Sequence, residues 1–245
     1  MCIRDRRMIQ NQLTSLFTHA AKIYDLPVNP CKKVKRMGNS DSRSLNFWTL
    51  DEYKQFIQTM EPGTRYYLIF EMLFWTGCRI GELLAITKAD INFEKNQLSI
   101  NKTYYRTGMQ DIITEPKTKQ SFRTIEIPEF LKEEIKEFVD GHYGMPDTER
   151  LFPVVQEAVQ HKMKRQIELA GVKKIRVHDL RHSHVAYLIE KGVEPLLIRD
   201  RLGHKDIRIT LNTYGHLYPN QQRKIANLLD NENAVTGLGE ERDEC

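Results

Sequence analysis

The sequence predicts a mostly helical α+β fold that contains a small antiparallel three-stranded sheet. Over most of the chain apolar residues recur every three or four positions, which is the period of helices with one buried face. Residues 91–127 alternate between apolar and polar residues instead, as half-buried strands do. Apolar residues make up 40% of the 245 residues and include 10 Phe, 10 Tyr and 2 Trp, enough for a buried core. No apolar run approaches the roughly 18 residues of a membrane span.

The helices that precede the sheet have recognisable boundary signals. Residues 8–25 predict one amphipathic helix, which two prolines end. Thr49 and Glu52 have the spacing of a capping box and predict the start of the next helix. Residues 65–75 predict a buried helix, and Gly77 provides its C-terminal turn. Another helix over residues 80–86 is expected directly after Arg79.

Three runs predict the strands, at residues 97–100, 111–114 and 122–127. The segment 116–121 between the last two is rich in polar residues and reads as the connecting turn of a hairpin. Lys117 is therefore expected at a mobile hairpin tip. A lysine at such a tip can swing onto a substrate and deliver a proton.

The second half of the chain predicts further helices. Their expected ranges are 128–139, 154–170 ended by Gly171, two short helices between 178 and 203, and a last one at 221–229. Residues 231–245 are acidic and predict a disordered tail.

Charge is unevenly distributed along the chain. The net charge is only +4, but residues 1–40 carry eight Lys or Arg against two acidic residues. Residues 230–245 carry six acidic residues against one Arg. Any nucleic-acid-binding face should therefore lie away from the C-terminal tail. The four cysteines are far apart and form no CxxC pair, which argues against a thiolate zinc site and fits a reducing cytosol.

Chemistry-bearing residues concentrate between residues 178 and 218. His178, Arg181, His204 and Tyr214 fall at the ends of the short helices predicted there. Arg pairs with a phosphate through two parallel hydrogen bonds, and His titrates near neutrality. A Tyr oxygen is a poor nucleophile as a phenol, but a fixed positive cluster favours its anion. The set therefore predicts attack by Tyr214 on phosphorus.

At these residues the sequence resembles the tyrosine recombinases of the phage-integrase type. The family's second motif resembles residues 178–182 (HDLRH), 202–204 (LGH) and 214–216 (YGH). Its first motif resembles residues 76–83 (TGCRIGEL), and its hairpin motif resembles residues 116–119 (PKTK). The resemblance covers residues 45–230, with three motifs in the family's order and spacing. It implies a site-specific recombinase, or integrase, that cuts and rejoins DNA through a 3′-phosphotyrosyl link.

The resemblance also implies a domain organisation. Residues 1–30 would be the remnant of a helical core-binding domain, 31–46 a basic linker, 47–230 the catalytic domain and 231–245 an acidic tail. Residues 1–7 (MCIRDRR) look like the translation of a sequencing-library adaptor, so we hypothesise that the native chain begins near Met8. The alternative is an ordinary basic N-terminus. A chain without most of the core-binding domain is expected to be weakly active or inactive.

The roles implied for the site residues follow the chemistry of transesterification. The catalytic set is Arg79, Lys117, His178, Arg181, His204 and Tyr214, with Glu82 holding the Arg79 guanidinium. The two arginines would clamp the non-bridging oxygens, and both histidines would donate hydrogen bonds. His178 would also take the Tyr214 proton. The fixed cations would fill the role of a metal ion, so no metal and no cofactor are expected.

Two assignments within this set have rivals. Lys117 would protonate the leaving oxygen, but Lys119 competes for that role. Tyr218 competes with Tyr214, although the family pattern puts the nucleophile ten residues after His204, which is Tyr214. Contacts to DNA are expected from Lys32, Lys33, Lys35, Arg36, Lys119 and Arg123.

The expected partners are double-stranded DNA, other copies of the chain and accessory factors. Full-length family members act as tetramers on DNA, associating through a C-terminal helix, which here could equally dock on its own domain. DNA-bending or excision factors could assist, and bacterial cytoplasm with nucleoid association is the implied location. Relaxation of supercoiled DNA, as by a type IB topoisomerase, could appear as a side reaction.

Two alternative functions belong to other classes of protein. The chain could be a non-catalytic DNA-binding fragment, which its basic helices would suit. It could also be a metal-dependent phosphohydrolase, with His178, Asp179, His182 and His184 as ligands. The position of Arg181 beside the cation argues against the metal reading. His182, His184 and His216 are otherwise expected to be structural.

Overall fold

The computed structural model describes residues 3–34, 46–115, 122–142, 144, 146–217, 227 and 229–231. The chain divides into two compact units, residues 1–45 and residues 46–245. The predicted hairpin tip with Lys117 and Lys119, the linker residues Lys35 and Arg36, Tyr218, most of the predicted last helix and most of the acidic tail lie outside the described residues.

The first unit consists of helix α1 (Ile3–Ile23) and a 3-10 turn at Pro30–Lys33. The helix starts at Ile3, earlier than the expected residue 8, and so includes part of the adaptor-like segment. Asn29 is the tie between the two elements, since its amide donates to the Thr14 carbonyl at 3.1 Å and to the Thr18 hydroxyl at 2.9 Å. Apolar side chains of α1 such as Leu16 stay largely exposed.

The second unit carries the remaining helices. They are α2 (Leu50–Ile57), α3 (Arg65–Thr76), α4 (Ile80–Leu83), α5 (Glu129–Asp140), α6 (Gln156–Ala170), α7 (Asp179–Glu190), α8 (Pro195–Leu202) and α9 (Ile207–Tyr214). The predicted capping box is formed, because the Thr49 hydroxyl accepts from the Glu52 N–H and the Glu52 carboxylate accepts from the Thr49 N–H. Helix α4 ends at Leu83, three residues short of the expected end, and a 3-10 turn follows at Lys88–Asp90.

The strands form two separate antiparallel sheets. Strands β1 (Ile91–Asn92), β2 (Gln97–Ile100) and β5 (Arg123–Glu126) make the three-stranded sheet in the order β1-β2-β5, whereas β3 (Thr103–Thr107) pairs only with β4 (Gln110–Thr114). The three-stranded antiparallel sheet is thus confirmed, but its membership differs from the expectation. The predicted strand at 111–114 joins the missed strand β3 through a tight turn at Gly108, and the flanks of residues 116–121 do not pair with each other.

The core of the second unit is built around α3. Its residues Leu68 to Phe74 are buried, and α2, α5 and α7 pack against it. The ring of Tyr53 on α2 stacks on Phe74 at 3.7 Å, and Phe56 meets Phe70 edge-on. Since α3 contacts α7, and α4 follows α3 directly, this core fixes the two elements that carry the candidate arginines. No helix in the described part of the chain is long and apolar enough to cross a membrane.

Candidate active site

Gly77 makes the turn that sets the first part of the site. It caps α3 in the left-handed region at φ 65°, where glycine avoids the penalty that a Cβ would bring. A Cβ at this position would also lie only 2.5 Å from the ring of His184. The chain therefore reverses in close contact with α7 and presents Arg79 at the start of α4.

Glu82 anchors Arg79 as the sequence suggested. The carboxylate accepts from the Arg79 guanidinium at 2.7 Å and from the Arg79 backbone N–H at 2.9 Å. The Arg79 side chain stays 42% exposed, so its remaining N–H groups can reach a bound anion. Burial would raise the pKa of Glu82, but hydrogen bonds and charge from Arg123, with Arg79, outweigh it and lower the pKa to about 2.

Arg123 differs from the DNA contact that was expected of it. Its side chain is only 6% exposed, and its guanidinium donates to Glu82 at 2.8 Å and to the Arg201 carbonyl at 2.9 Å. The strand alternation of β5 turns this residue inward, toward the carboxylate that also holds Arg79. Arg123 is thus a largely buried cation whose described contacts are within the protein, and a DNA contact of Arg123 stays a prediction.

Arg181 enters the site from α7 with a fixed orientation. Its side chain is buried, and its two terminal nitrogens donate to the carbonyls of Gly77 and Leu202, each at 2.7 Å. These bonds tie together the C-terminal turns of α3 and α8. Burial and the nearby charge of Arg79 lower the pKa of Arg181 to about 9, so it remains a cation at neutral pH.

His204 and His178 flank the two arginines. The Nδ1 atom of His204 lies 2.9 Å from the Thr210 hydroxyl of α9, which fixes the ring against that helix. Burial, Arg181 and Arg79 together lower the pKa of His204 to about 4. Burial and Arg181 also lower the pKa of His178. Both rings are therefore neutral at pH 7 and can each donate one hydrogen bond.

Tyr214 ends α9, and its hydroxyl is directed at α7. The hydroxyl oxygen lies 2.5 Å from Nδ1 of His182, and Tyr214 is only 2% exposed. His178, which was expected to take the Tyr214 proton, lies next to His182, with the two imidazole centroids 5.3 Å apart and edge-on. The hydrogen-bond partner of the hydroxyl is therefore the histidine that the sequence reading treated as structural.

The ionisation of Tyr214 also differs from the expectation of a favoured phenolate. Burial raises the pKa of Tyr214 to about 12, although the charge of Arg181 acts in the opposite direction and Asp179 adds to the increase. The positive cluster does not overcome the loss of water around a buried phenol. At neutral pH the group is a phenol, and attack by its oxygen requires removal of the proton.

The ligands of the metal alternative do not converge. His182 faces Tyr214, whereas Nε2 of His184 accepts from Arg201 at 3.2 Å in the core, and Asp179 pairs with Arg176. Among the described residues, no group of three or more His, Cys, Asp or Glu side chains is placed to hold a metal ion.

Sequence reasoning missed two further residues at the site, His182 and Arg201. Arg201 donates to the carbonyls of Trp75 and Glu126, and so joins α8 to α3 and β5. The only local signal for His182 was its position directly after Arg181. Its contact with Tyr214 spans 32 residues of sequence, and no spacing pattern within α7 could reveal it.

Of the expected DNA contacts, only Lys32, Lys33 and Arg123 are described. Lys32 and Lys33 end the 3-10 turn of the first unit, where both are exposed. A groove in the second unit adds basic side chains that were not among the site residues. Lys164, Lys174 and Arg176 line this cavity of about 540 Å³, together with Met163, Ile167 and His178.

The chain was compared with known proteins by sequence and by fold. Residues 46–221 match the family model described as the phage integrase family. The ICEBs1 integrase of Bacillus subtilis is 32% identical, over 91% of this chain and 65% of that relative. A tyrosine recombinase XerC-like protein of Caldanaerobacter subterraneus is 28% identical, with the same coverage. The chain thus spans 65% of the length of these relatives.

Solved structures share the fold at lower identity. The Tn1549 transposon integrase in complex with a circular intermediate DNA superposes with a TM-score of 0.77 at 19% identity, covering 95% of this chain and 80% of that one. The XerH site-specific recombinase bound to a palindromic difH substrate gives a TM-score of 0.66 at 19% identity, covering 94% and 68%.

Proposed function

Because this chain belongs to the phage integrase family, we propose that it is a tyrosine recombinase that cuts and rejoins DNA strands during integration and excision of a mobile element. Residues 47–230 would form its catalytic domain, and residues 1–30, which include α1, would be the remnant of a core-binding domain. The relatives it resembles are integrases of a conjugative element, prophages, a phage and a transposon. The substrate would be double-stranded DNA, in the bacterial cytoplasm.

One observation carries the proposal, namely that Arg181 donates hydrogen bonds to the carbonyl of Gly77, two residues before Arg79, and to that of Leu202, two residues before His204. The pKa shifts of the candidate residues agree with this proximity. The charge of Arg181 acts on His178, His204 and Tyr214, and the charge of Arg79 acts on Arg181 and both of these histidines. Such coupling requires the groups to lie within a few ångströms to about ten of one another. This coupling supports the assignment of two guanidiniums, two neutral imidazoles and one phenol to one catalytic site.

That arrangement suits transesterification at a phosphodiester. The Tyr214 oxygen would form a bond to phosphorus while the bond to the 5′ oxygen breaks, leaving a 3′-phosphotyrosyl link and a 5′-hydroxyl. Arg79 and Arg181 would hold the non-bridging oxygens and neutralise the charge that develops on them. His204 would donate a further hydrogen bond. Attack by another strand's 5′-hydroxyl on the link would complete strand exchange without an external energy source.

The leaving 5′ oxygen needs a proton, and we assign its delivery to Lys117, with Lys119 as the rival. The sequence places both lysines in the segment between β4 and β5, just before Arg123, the first residue of β5. Because two fixed cations sit at the site, we expect no metal requirement, and cleavage should persist in a chelator. Self-association on DNA and accessory factors belong to the same proposal.

The test is covalent capture of DNA by the 245-residue chain. The purified protein is incubated with a pool of randomised duplexes, denatured in detergent and digested, and nucleotide-bearing peptides are located by mass spectrometry. We expect a nucleotide on Tyr214 in the wild type, with slow capture because the first unit is small. The Tyr214→Phe variant should capture none. Adducts formed by this variant, or reversible binding without any adduct in the wild type, would contradict the proposal, and the latter would favour the DNA-binding alternative.

A further inference from the structure

The proposed function gives no role to His182, yet this residue makes the closest side-chain contact at the site, with the Tyr214 hydroxyl. We propose that His182 is the general base that removes the proton from the Tyr214 hydroxyl, a role the sequence reading gave to His178. This inference rests on the proposed function, since it concerns the step in which the Tyr214 oxygen attacks phosphorus.

The geometry supports direct proton transfer. The Tyr214 oxygen lies 2.5 Å from Nδ1 of His182, within the reach that a general base requires. The two rings are 5.6 Å apart at an angle of 52°, so they meet through the hydroxyl and not face to face. Helix α7 holds His182, and the hydroxyl sits at the end of α9. Both partners are therefore on regular secondary structure, which limits drift of the contact.

A carboxylate near the other ring nitrogen favours one tautomer of His182. Nε2 of His182 lies 4.0 Å from Oδ1 of Asp179, one turn earlier on α7. Arg176 holds this carboxylate through its guanidinium at 2.7 Å and its backbone N–H at 2.9 Å. A carboxylate only accepts hydrogen bonds, so it favours the proton on Nε2 and leaves the Nδ1 lone pair free for the phenol.

The same carboxylate would stabilise the product of the transfer. Burial would raise the pKa of Asp179, but the hydrogen bonds from Arg176 outweigh this effect and lower it, so Asp179 stays an anion. It can therefore favour the imidazolium that forms on His182 without itself taking the proton, as the acid of a Ser-His-Asp triad does. Burial and His178 lower the pKa of His182, which keeps the resting imidazole neutral and able to accept.

The proton balance of the step is complete. The O–H bond of Tyr214 breaks and its proton goes to Nδ1 of His182 as the oxygen bonds to phosphorus. The bond from phosphorus to the 5′ oxygen breaks, and that oxygen takes a proton from the hairpin lysine. In the reverse reaction His182 returns its proton to the phenol. His178 remains a hydrogen-bond donor to the phosphate.

A substrate with sulfur in place of the bridging 5′ oxygen separates the two proton transfers. The thiolate leaves without a proton, so a variant that lacks the general acid recovers on this substrate, whereas one that lacks the base does not. The duplexes would be those that the wild-type chain captures from the random pool. We expect His182→Ala to form the Tyr214 adduct about 10²-fold more slowly than wild type on both the oxygen and the sulfur substrate. Lys117→Ala, or Lys119→Ala if that lysine is the acid, should recover on the sulfur substrate.

Two controls separate proton removal from structural effects. His182→Asn keeps a hydrogen-bonding group near the position of Nδ1 but cannot take up a proton. It should hold Tyr214 in place, remain slow, and lose the fall in rate at acidic pH that the wild-type imidazole causes. His161→Ala, which removes an exposed histidine from α6, should leave the rate unchanged. Full activity of His182→Asn would overturn the proposal, since the contact would then only hold Tyr214 in place. Faster capture by His182→Ala would also overturn it, since the contact would then keep Tyr214 from reacting.

A measurement on the free protein tests the inference even if capture is too slow to follow. Nitrogen-15 NMR of the wild-type chain should show His182 neutral, with the proton on Nε2 and Nδ1 accepting a hydrogen bond that Tyr214→Phe removes. A proton on Nδ1 would overturn it. If Tyr214→Phe still captures DNA, the proposed function itself fails. If only Tyr214→Phe loses capture and His182→Ala keeps the wild-type rate, His182 alone is wrongly assigned.

Discussion

Glu82 and Arg123 form an ion pair of 2.8 Å in which the side chains are only 4% and 6% exposed. The same carboxylate holds Arg79, whose side chain remains open to solvent. One buried anion is therefore shared between an inner arginine, which begins strand β5, and an outer arginine, which is exposed enough to face a phosphate. This arrangement fixes the outer guanidinium through a partner that never meets the substrate.

Glu82→Gln should destabilise the second unit and slow DNA capture. The amide keeps the shape of the side chain but removes the negative charge that Arg123 and Arg79 share, and breaking a buried ion pair typically costs about 3–5 kcal/mol. Urea unfolding followed by circular dichroism would measure this loss. Glu94→Gln, which neutralises an exposed carboxylate next to β1, is the matched control and should change stability by less than about 0.5 kcal/mol. Equal unfolding free energies for the two variants would mean that the ion pair is not needed.

Gly77→Ala and Gly192→Ala separate backbone strain from a steric clash. Both glycines have positive φ, 65° and 77°, but a Cβ at Gly77 meets His184 whereas one at Gly192 meets nothing within 4 Å. We expect about 1 kcal/mol of destabilisation at Gly192 from strain alone, and about 1–3 kcal/mol more at Gly77. Thermal unfolding of the two variants measures the difference. Similar losses of stability at both positions would show that α7 shifts away from the added methyl group without an energetic cost.

Ser183→Ala should loosen the start of the second unit from α7. The hydroxyl of Ser183 is buried, accepts from the Trp48 backbone N–H at 2.9 Å and donates to the Asp179 carbonyl at 3.1 Å. Its removal leaves a buried N–H without this partner, at a cost of about 1–3 kcal/mol. Hydrogen exchange at Trp48 should accelerate in step with the global loss. Ser99→Ala, at a half-buried position of β2, should have little effect, and an unchanged Trp48 amide in Ser183→Ala would argue that another group replaces the bond.

The contribution of Glu134 to the unfolding free energy should decrease as the pH rises from about 5 to 8, in opposition to the increase that the buried histidines with lowered pKa values bring over the same range. Burial and the charge of Glu71 raise the pKa of Glu134 from 4.5 to about 7, against a smaller opposing effect of the Tyr67 hydroxyl, which lies 3.4 Å away. The folded state thus binds this proton more tightly than the unfolded state. The stabilisation from the protonated Glu134 carboxyl is fully present below pH 4.5 and is lost as the pH rises through 7. With allowance for solvent screening of a half-buried group, the decrease is about 1 kcal/mol.

Glu134→Gln should abolish this contribution, because the amide has no proton to lose, so the unfolding free energy of the variant should rise more steeply with pH than that of the wild type. Glu133→Gln, which alters the exposed neighbour on α5, should keep the contribution. Urea titrations at several pH values between 5 and 8 measure both. If the unfolding free energy of Glu134→Gln varied with pH as that of the wild type does, the effect would belong to another group. Glu71 would be the first to examine, since burial raises its pKa as well.

Local signals in the sequence were sufficient for most helices and their ends. The capping box at Thr49, the helix stops at Gly77 and Gly171, and the core face of α5 all appear where the spacing predicted them. Each depends on residues within about one helical turn, so neighbouring side chains carry the necessary information. Motif spacing also led to a predicted catalytic set, because the resemblance extended over three separate segments.

Contacts between distant segments were decided only by the tertiary structure. The partner of β4, the inward position of Arg123 and the bond between His182 and Tyr214 join residues that no periodicity relates. The pKa of Tyr214 also depends on the tertiary structure. The sequence suggested that arginine charge would lower it, but burial raises it by more. Hydrophobic spacing and turn chemistry fix where an element begins and which face it buries. What a polar side chain meets depends on the packing of whole elements, and desolvation there can exceed the effect of any charge nearby in sequence.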